Sequence, residues 1–387
     1  MIQTVTRRTL MRGLVVAAVA AAFGVAGPAA AQQTLKFGMA MPLTGSQSSY
    51  GKDQIKAAEW AVADINAKGG VNGKKLEMVL LDTQGDPTIG IGAVNRLVNV
   101  DKVPVFVTGW SAVVKAVAPI ANREKVLELS IGANAPDIAK LGDYVYTAFP
   151  FADVDVTAVA NYTFKTLGKR RAAIMYINND TGVEAARVYR TVFEKAGGQI
   201  VAFEAYDPKA TDFTGALLKV RAANPDFIHL HGLVAEMPIV IAQMRQLGIT
   251  QRVSTYSGGY NPQMVEKAGK GAEGLIVTSL APNEMQNPNV GPYIERWKKT
   301  ENRIPNGLPY TQYIHDSAYL VAALYGYIEK NKLPATGENM RKALLAVKTF
   351  QLPLTGKLTI NEDHTVRMPV NLVTVVNGQF VPLATVE

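Results

Sequence analysis

The 387 residues are 48% hydrophobic and 19% charged, more chain than one typical core accommodates, so two domains are expected. The formal charge of +8 is spread thinly, with Lys169-Arg170-Arg171 and Lys298-Lys299 as its densest clusters at the edges of expected elements. No basic face interleaved with stacking aromatics points to nucleic acid. Cysteine is absent, which excludes disulfides, thiol catalysis, cysteine-ligated metal centres and the lipidated cysteine that anchors some exported proteins.

Residues 1–31 read as an export signal. Thr6-Arg7-Arg8-Thr9-Leu10-Met11-Arg12 is a basic start, 14–26 is an apolar run, and Pro28-Ala29-Ala30-Ala31 offers small residues for cleavage near Ala31. The apolar run falls short of the ~20 residues that a membrane-spanning helix needs. The arginine pair followed by Leu10 and Met11 resembles a twin-arginine signal, which implies export in a folded state, with an ordinary secretory signal as the alternative. Either route places the mature chain in the periplasm, where it diffuses freely. Removing Arg7, Arg8 and Arg12 lowers its charge from +8 to +5.

Beyond the signal, strands and helices alternate. Residues 35–40 form a strand that ends before Pro42. Ile55, Ala58, Trp60 with Ala61, Val62 and Ile65 then recur on a helical period over 53–67, closed by Gly69-Gly70. A strand at 75–82, a helix at 87–100, a strand at 103–108, a helix at 113–123 despite Pro119, and strands at 127–130 and 144–149 follow. Such alternation marks a parallel sheet covered on both faces. The series restarts with a helix at 152–167, a strand at 171–177, a helix at 182–196 and a strand at 199–206. It continues with a helix at 211–223, a strand at 227–231, a helix at 237–247, and strands at 252–256 and 274–279. Helices at 293–301, 310–330 and 337–347 come next, and β-like runs at 356–360, 368–376 and 379–383 end the chain. Two α/β lobes of this kind leave a cleft between the carboxyl ends of two sheets, where ligands bind.

Motifs for catalysis and metal binding are missing. Gly90-Ile91-Gly92 lies inside a helical pattern without the third glycine of a dinucleotide loop, so it reads as a packing feature. There is no phosphate-binding lysine loop and no G-x-S-x-G elbow. His229 and His231 share one strand face but lack a third ligand at metal spacing. His231 ends the strand and could donate into the cleft, whereas His229 reads as a buried, satisfied histidine. His315-Asp316 is explained by capping and structural bonds. No nucleophile, base and orienting group assemble from the sequence, so binding without catalysis, cofactor or metal is expected.

Several runs carry a resemblance. Pro42-Leu43-Thr44-Gly45 through Tyr50-Gly51, and above all Ala61-Val62-Ala63-Asp64-Ile65-Asn66-Ala67-Lys68-Gly69-Gly70-Val71-Asn72-Gly73, resemble the Leu/Ile/Val-binding family, the type I periplasmic solute-binding proteins of ABC importers. Asp82 with Asp86-Pro87, Ser130 with Gly132 to Pro136, Asp212-Phe213, Pro225-Asp226-Phe227 and Gly248 add less specific matches, and the likeness runs from about Leu35 to the end. It implies a two-lobed type I periplasmic-binding-protein fold, each lobe a mostly parallel sheet flanked by helices, with three interlobe crossings. Residues 34–148 and 280–367 would form lobe 1, and residues 149–279 and 368–387 lobe 2.

The resemblance also implies how a ligand is held. In the family, lobe 1 grips the α-carboxylate of an amino acid through positions that fall here on Ser111, Gly132 and Asn134, with Tyr50 at an aromatic position of the first loop. Backbone N–H groups at strand-to-helix turns suit an anionic oxygen. Ser111 and Asn134 also read as helix N-caps. In lobe 2 the pattern changes. Ser257, in Tyr256-Ser257-Gly258-Gly259, stands where amino-acid binders carry a glutamate for the ammonium group, and two aromatic positions are Thr181 and Leu233. Asp180 adjoins the Thr181 position as a possible substitute. A buried ammonium without a carboxylate partner is heavily penalised. Trp110, Tyr50, Tyr256 and Tyr260 are expected to flank the cleft, or else to pack within the lobes.

The expectation is therefore a monomeric, non-enzymatic solute-binding protein that closes on a small carboxylate-bearing molecule and delivers it to an ABC permease. An organic or aromatic acid is preferred, with a branched-chain or other amino acid as the alternative. A ligand sensor feeding a signalling partner is the alternative of another class.

Overall fold

β1 (Thr34–Met41) is buried along nearly its whole length, as befits a strand inside a sheet covered on both faces. The computed structural model describes residues 34–386, so the export signal expected at 1–31 lies outside the described residues. Beside β1 lie β2 (Lys75–Asp82) on one side and β3 (Val105–Thr108), β4 (Leu127–Ser130) and β5 (Val145–Thr147) on the other, all parallel. Helix α1 (Ser48–Ala67) packs Ile55, Ala58, Ala61 and Ile65 with Phe37, Met39 and Val107 on one face of this sheet. On the other face α2 (Pro87–Asn99) and α3 (Ser111–Glu124) bring Val94, Leu97, Val113 and Val117 against Phe106. Gly90 lets those two helices touch, because a Cβ there would stand 2.7 Å from Val113 Cγ1. The Gly90-Ile91-Gly92 run is thus a packing feature.

After β5 the chain passes to a second sheet. Its elements are α4 (Ala152–Asn161), β6 (Arg171–Ile177), α5 (Asp180–Lys195), β7 (Gln199–Tyr206) and α6 (Thr214–Ala222), then β8 (Phe227–His231), α7 (Met237–Gln246), β9 (Val253–Thr255), α8 (Pro262–Ala268) and β10 (Ile276–Ser279). The strands run parallel in the order β7-β6-β8-β9-β10. One face carries Leu217, Val220, Val240, Met244 and Met264 of α6, α7 and α8, and the other carries Val156, Val159, Ala185 and Tyr189 of α4 and α5.

The chain then returns to the first sheet through α9 (Val290–Glu301), α10 (Leu308–Lys330), α11 (Gly337–Val347) and the antiparallel pair β11 (Thr349–Leu352) and β12 (Gly356–Thr359). Ile314, Val321, Leu324 and Tyr325 of α10 join the same core as Phe37 and Met39. A last passage adds β13 (Val370–Val376) and β14 (Gln379–Val386) antiparallel to the β10 edge of the second sheet. Three passages therefore link two α/β layers.

The elements differ from expectation where local signals were thin. α1 begins at Ser48 and not at 53, since residues 48–52 carry no apolar period from which that first turn could be read. The helix expected over 152–167 stops being α-helical after Asn161. A π-turn spans Tyr162–Thr166, with Leu167 N–H on the Tyr162 carbonyl at 3.0 Å, and Thr163 Oγ1 bonds the Val159 carbonyl at 2.8 Å. Such side-chain bonds to the preceding turn loosen a helix. β11 and α8 are new elements, each too short to show a period.

Candidate functional site

Each parallel series changes lateral direction once, between β1 and β3 and between β6 and β8. Such switch points, at the carboxyl ends of strands, are where open α/β sheets leave a crevice. The two crevices face one another across a cavity of about 50 Å³. From the first sheet come Gln47, Tyr50 and Gln54 after β1, Trp110 after β3, and Gly132 and Asn134 after β4. The second sheet contributes Thr181 after β6, Leu233 and Val234 after β8, and Tyr256 and Gly258 after β9. Tyr310 enters from the start of α10.

The first-sheet wall is rich in unused donors. Trp110 precedes α3 with φ of 63°, a left-handed conformation that is strained for a bulky residue and is typical of functional sites. It sets the ring on the cavity just before the open N–H groups of the first helical turn. Gly132 has φ of 82°, and a Cβ there would lie 3.1 Å from the Tyr310 ring. The N–H groups of Gly132, Ala133 and Asn134 bond no described residue. Asn134 is 2% exposed and its Nδ2 has no partner; Gln54 is 3% exposed and its Oε1 has none.

Two expected residues stand behind the wall. Ser111 Oγ accepts the Ala135 N–H at 3.3 Å and the Thr181 hydroxyl at 3.2 Å, so it joins the lobes. Ser257 is fully buried, donating to Asp155 Oδ2 at 2.9 Å and meeting Tyr310 OH at 3.1 Å. Asp155 also accepts the Ser257 N–H at 3.3 Å and the Thr278 hydroxyl, while burial raises its pKa to about 6. Asp180 does not face the cavity as an ammonium partner. It pairs across the cleft with Lys115 at 3.2 Å, and Lys115 also holds Asp137 at 2.8 Å.

Tyr260 does not flank the cleft cavity either. Its ring meets Phe380 edge-on at 4.8 Å, beside a separate groove. His231 is fully buried and does not reach the cleft; it stacks on Tyr256 at 3.9 Å and braces that wall from behind. Burial pushes its pKa well down. His229 bonds Ser254 Oγ through Nδ1 at 3.0 Å, but its Nε2 is unpartnered, and burial lowers its pKa to about 3. Asp316, next to His315, accepts the Leu354 and Thr355 N–H groups at 2.9 and 2.7 Å, a structural role. Glu236 is raised to about 7 by burial; its Oε1 takes the Leu233 N–H at 2.6 Å and the Tyr206 hydroxyl at 3.3 Å.

Gln47, Gln54, Val234, Gly258 and Tyr310 were not foreseen. Gln47, Tyr50 and Gln54 recur at the spacing of one helix face, a signal that was available. Among the described residues no group of three or more His, Cys, Asp or Glu could hold a metal ion. The Tyr50 hydroxyl donates to the Gly258 carbonyl, so with the Thr181, Lys115 and Tyr310 contacts the two walls are joined across the cavity.

Comparison with known proteins agrees with this architecture. The leucine-, isoleucine-, valine-, threonine- and alanine-binding protein of Pseudomonas aeruginosa is 29% identical over 348 residues, 88% of this chain and 90% of its own. A leucine binding protein from Thermotoga maritima superposes with a TM-score of 0.81 at 25% identity, covering 91% of this chain and 98% of that one. A solute binding protein of an ABC transporter from Rhodopseudomonas palustris, in complex with 3,4-dihydroxy benzoic acid, shares the fold with a TM-score of 0.78 at 22% identity, over 91% and 97% of the two chains. The family model for periplasmic binding proteins matches residues 34–379, from the first strand into the last. Two sheets facing one another across a cavity, and a match that spans nearly all the described residues, make this chain a member of the periplasmic binding protein family.

Proposed function

We propose that the protein is the exported solute-binding component of an ABC importer, taking a small organic or aromatic acid between its lobes in the periplasm and delivering it, as a monomer, to a permease. The observation that carries this reading is the set of unbonded donors on the first-sheet wall: the N–H groups of 132–134, the Asn134 amide and the open turn of α3. Donors at such turns suit a carboxylate. Among the described residues no Asp or Glu lines the cavity, so an ammonium there finds no carboxylate on the wall itself. Asp155 accepts donors from Ser257 and Thr278, Asp180 is held by Lys115, and Glu236 Oε1 is turned onto Leu233. The rings of Tyr50, Trp110, Tyr256 and Tyr310 suit a flat or branched apolar body.

Contacts from both lobes exist only in the closed form, so a ligand draws the open–closed equilibrium toward closure. The amino-acid reading is favoured by one observation, the amino acids named for the P. aeruginosa relative. Thermal-shift measurements with benzoate, 4-methylpentanoate, leucine and alanine decide between them. Stabilisation by the acids is expected. Stabilisation by leucine or alanine with none by either acid overturns the organic-acid reading.

A further inference from the structure

Two carboxyls stand one residue behind the second-sheet wall of the cavity, and among the described residues neither forms an ion pair. Asp155, fully buried in the first turn of α4, bonds Ser257, whose Oγ also meets the hydroxyl of the lining residue Tyr310. Glu236, 6% exposed, takes the N–H of the lining residue Leu233. Around Asp155 stand Thr278 and the phenols of Tyr256 and Tyr310; around Glu236 stand those of Tyr50, Tyr206 and Tyr256. These phenols are neutral near pH 7, since burial pushes each of them up. Burial keeps His231, stacked on Tyr256, neutral as well. The nearby cations are already engaged: Lys115 holds Asp137 and Asp180, and Arg367 holds Asp153 on the outer side of α4. The cavity lining has no Lys, Arg or His among the described residues. An acid seated there brings a further negative charge toward two buried carboxyls with no cation to offset it. Like charges raise a carboxyl's pKa, and they do so most where water and salt are excluded.

We infer that closure on an acid draws a proton onto this pair, so the protein takes its ligand as an anion together with a proton. The inference rests on the carboxylate reading of the site. The pair is poised for it: burial raises Glu236 to about 7 and Asp155 to about 6, so at pH 7 each is at least partly ionised and can accept a proton. The ligand's own carboxyl, with an ordinary pKa of about 4, stays ionised from pH 6 to pH 8. An amino acid with its ammonium toward the pair works in the opposite sense, favouring the charged carboxyls and releasing protons.

Isothermal titration of the wild-type protein at pH 7 with benzoate and with 4-methylpentanoate, in buffers of different ionisation enthalpy, counts the protons exchanged. If each carboxyl shifts by about one pH unit, uptake should be on the order of half a proton or more per ligand. Affinity should then be on the order of tenfold weaker at pH 8 than at pH 6. Glu236→Gln, which keeps an oxygen for the Leu233 N–H, should remove about half of the uptake. Adding Asp155→Asn should make affinity level between pH 6 and pH 8. The inference is overturned if acid binding exchanges no protons or releases them, or if uptake persists unchanged in Glu236→Gln or in the double variant. Acids that bind without proton uptake defeat this inference alone, whereas failure of both acids to bind defeats the carboxylate reading with it. The wild-type proton count decides even if a variant fails to fold.

Discussion

Ser257→Ala probes the junction behind the cavity. Ser257 Oγ lies 2.9 Å from Asp155 Oδ2 and 3.1 Å from Tyr310 OH, with all three residues buried. Well above pH 6 the Asp155 carboxyl is ionised, since its pKa is raised to about 6. A hydrogen bond to a charged group contributes about 1.5–3 kcal/mol, and stranding the Tyr310 hydroxyl adds about 1 kcal/mol. The variant should therefore lose about 3 kcal/mol of unfolding free energy at pH 8. At pH 5 the carboxyl is protonated, the bond joins neutral groups, and the loss should fall to about 2 kcal/mol. Tyr310→Phe leaves the bond between Ser257 and Asp155 intact and should cost about 1 kcal/mol at both pH values. Urea unfolding followed by circular dichroism at pH 5 and pH 8 reads all of these. Equal losses for Ser257→Ala at the two pH values, or a larger loss for Tyr310→Phe, would refute the reasoning.

Other perturbations address the same architecture. Because the folded pKa of Asp155 is raised from 3.8 to about 6, the folded state favours the protonated carboxyl. Its contribution therefore falls by about 3 kcal/mol as pH rises from about 4 through 6. Asp155→Asn should remove that part of the slope in urea titrations at pH 4 and pH 7, and an unchanged slope would count against it. Lys115→Ala combined with Thr181→Val deletes two cross-cleft contacts, one half-exposed and worth about 0.5 kcal/mol, the other about 1 kcal/mol. The open population should rise about tenfold, seen as a larger radius of gyration in X-ray scattering, and an unaltered profile would contradict this. Asn134→Leu replaces an unpartnered buried amide, so it should gain about 1 kcal/mol in stability while losing acid binding. Melting with and without benzoate checks both effects, and retained binding would remove Asn134 from the site.

The paired α/β layers were legible because the two periodicities and the glycine and proline punctuation change at nearly every element boundary. Gly132, Asn134 and Thr181 could be placed at a cleft through the family resemblance, and they, like Trp110 and Tyr256, lie within four residues of a strand's carboxyl end. Where their neighbours point was less accessible. Ser111 and Ser257 sit at the expected positions, yet Thr181 draws one hydroxyl, and Asp155 with Tyr310 draws the other. Those partners lie far away in sequence and leave no local trace. Tyr310 was missed because it arrives on a helix from the chain's return to the first sheet. Tyr260 takes the second of the two roles expected for it, packing within its lobe, because Phe380 from the last strand claims its ring.

The long helix α10 has a consequence for biosynthesis. All five strands of the first sheet have left the ribosome by Thr147, but the oily face that carries Phe37 and Met39 receives Ile314 and Val321 only after the second parallel series has also been made. The lobe begun first is finished last. Nascent chains ending before α10 leave that face covered by α1 alone, so chaperone shelter matters most for this stretch of synthesis.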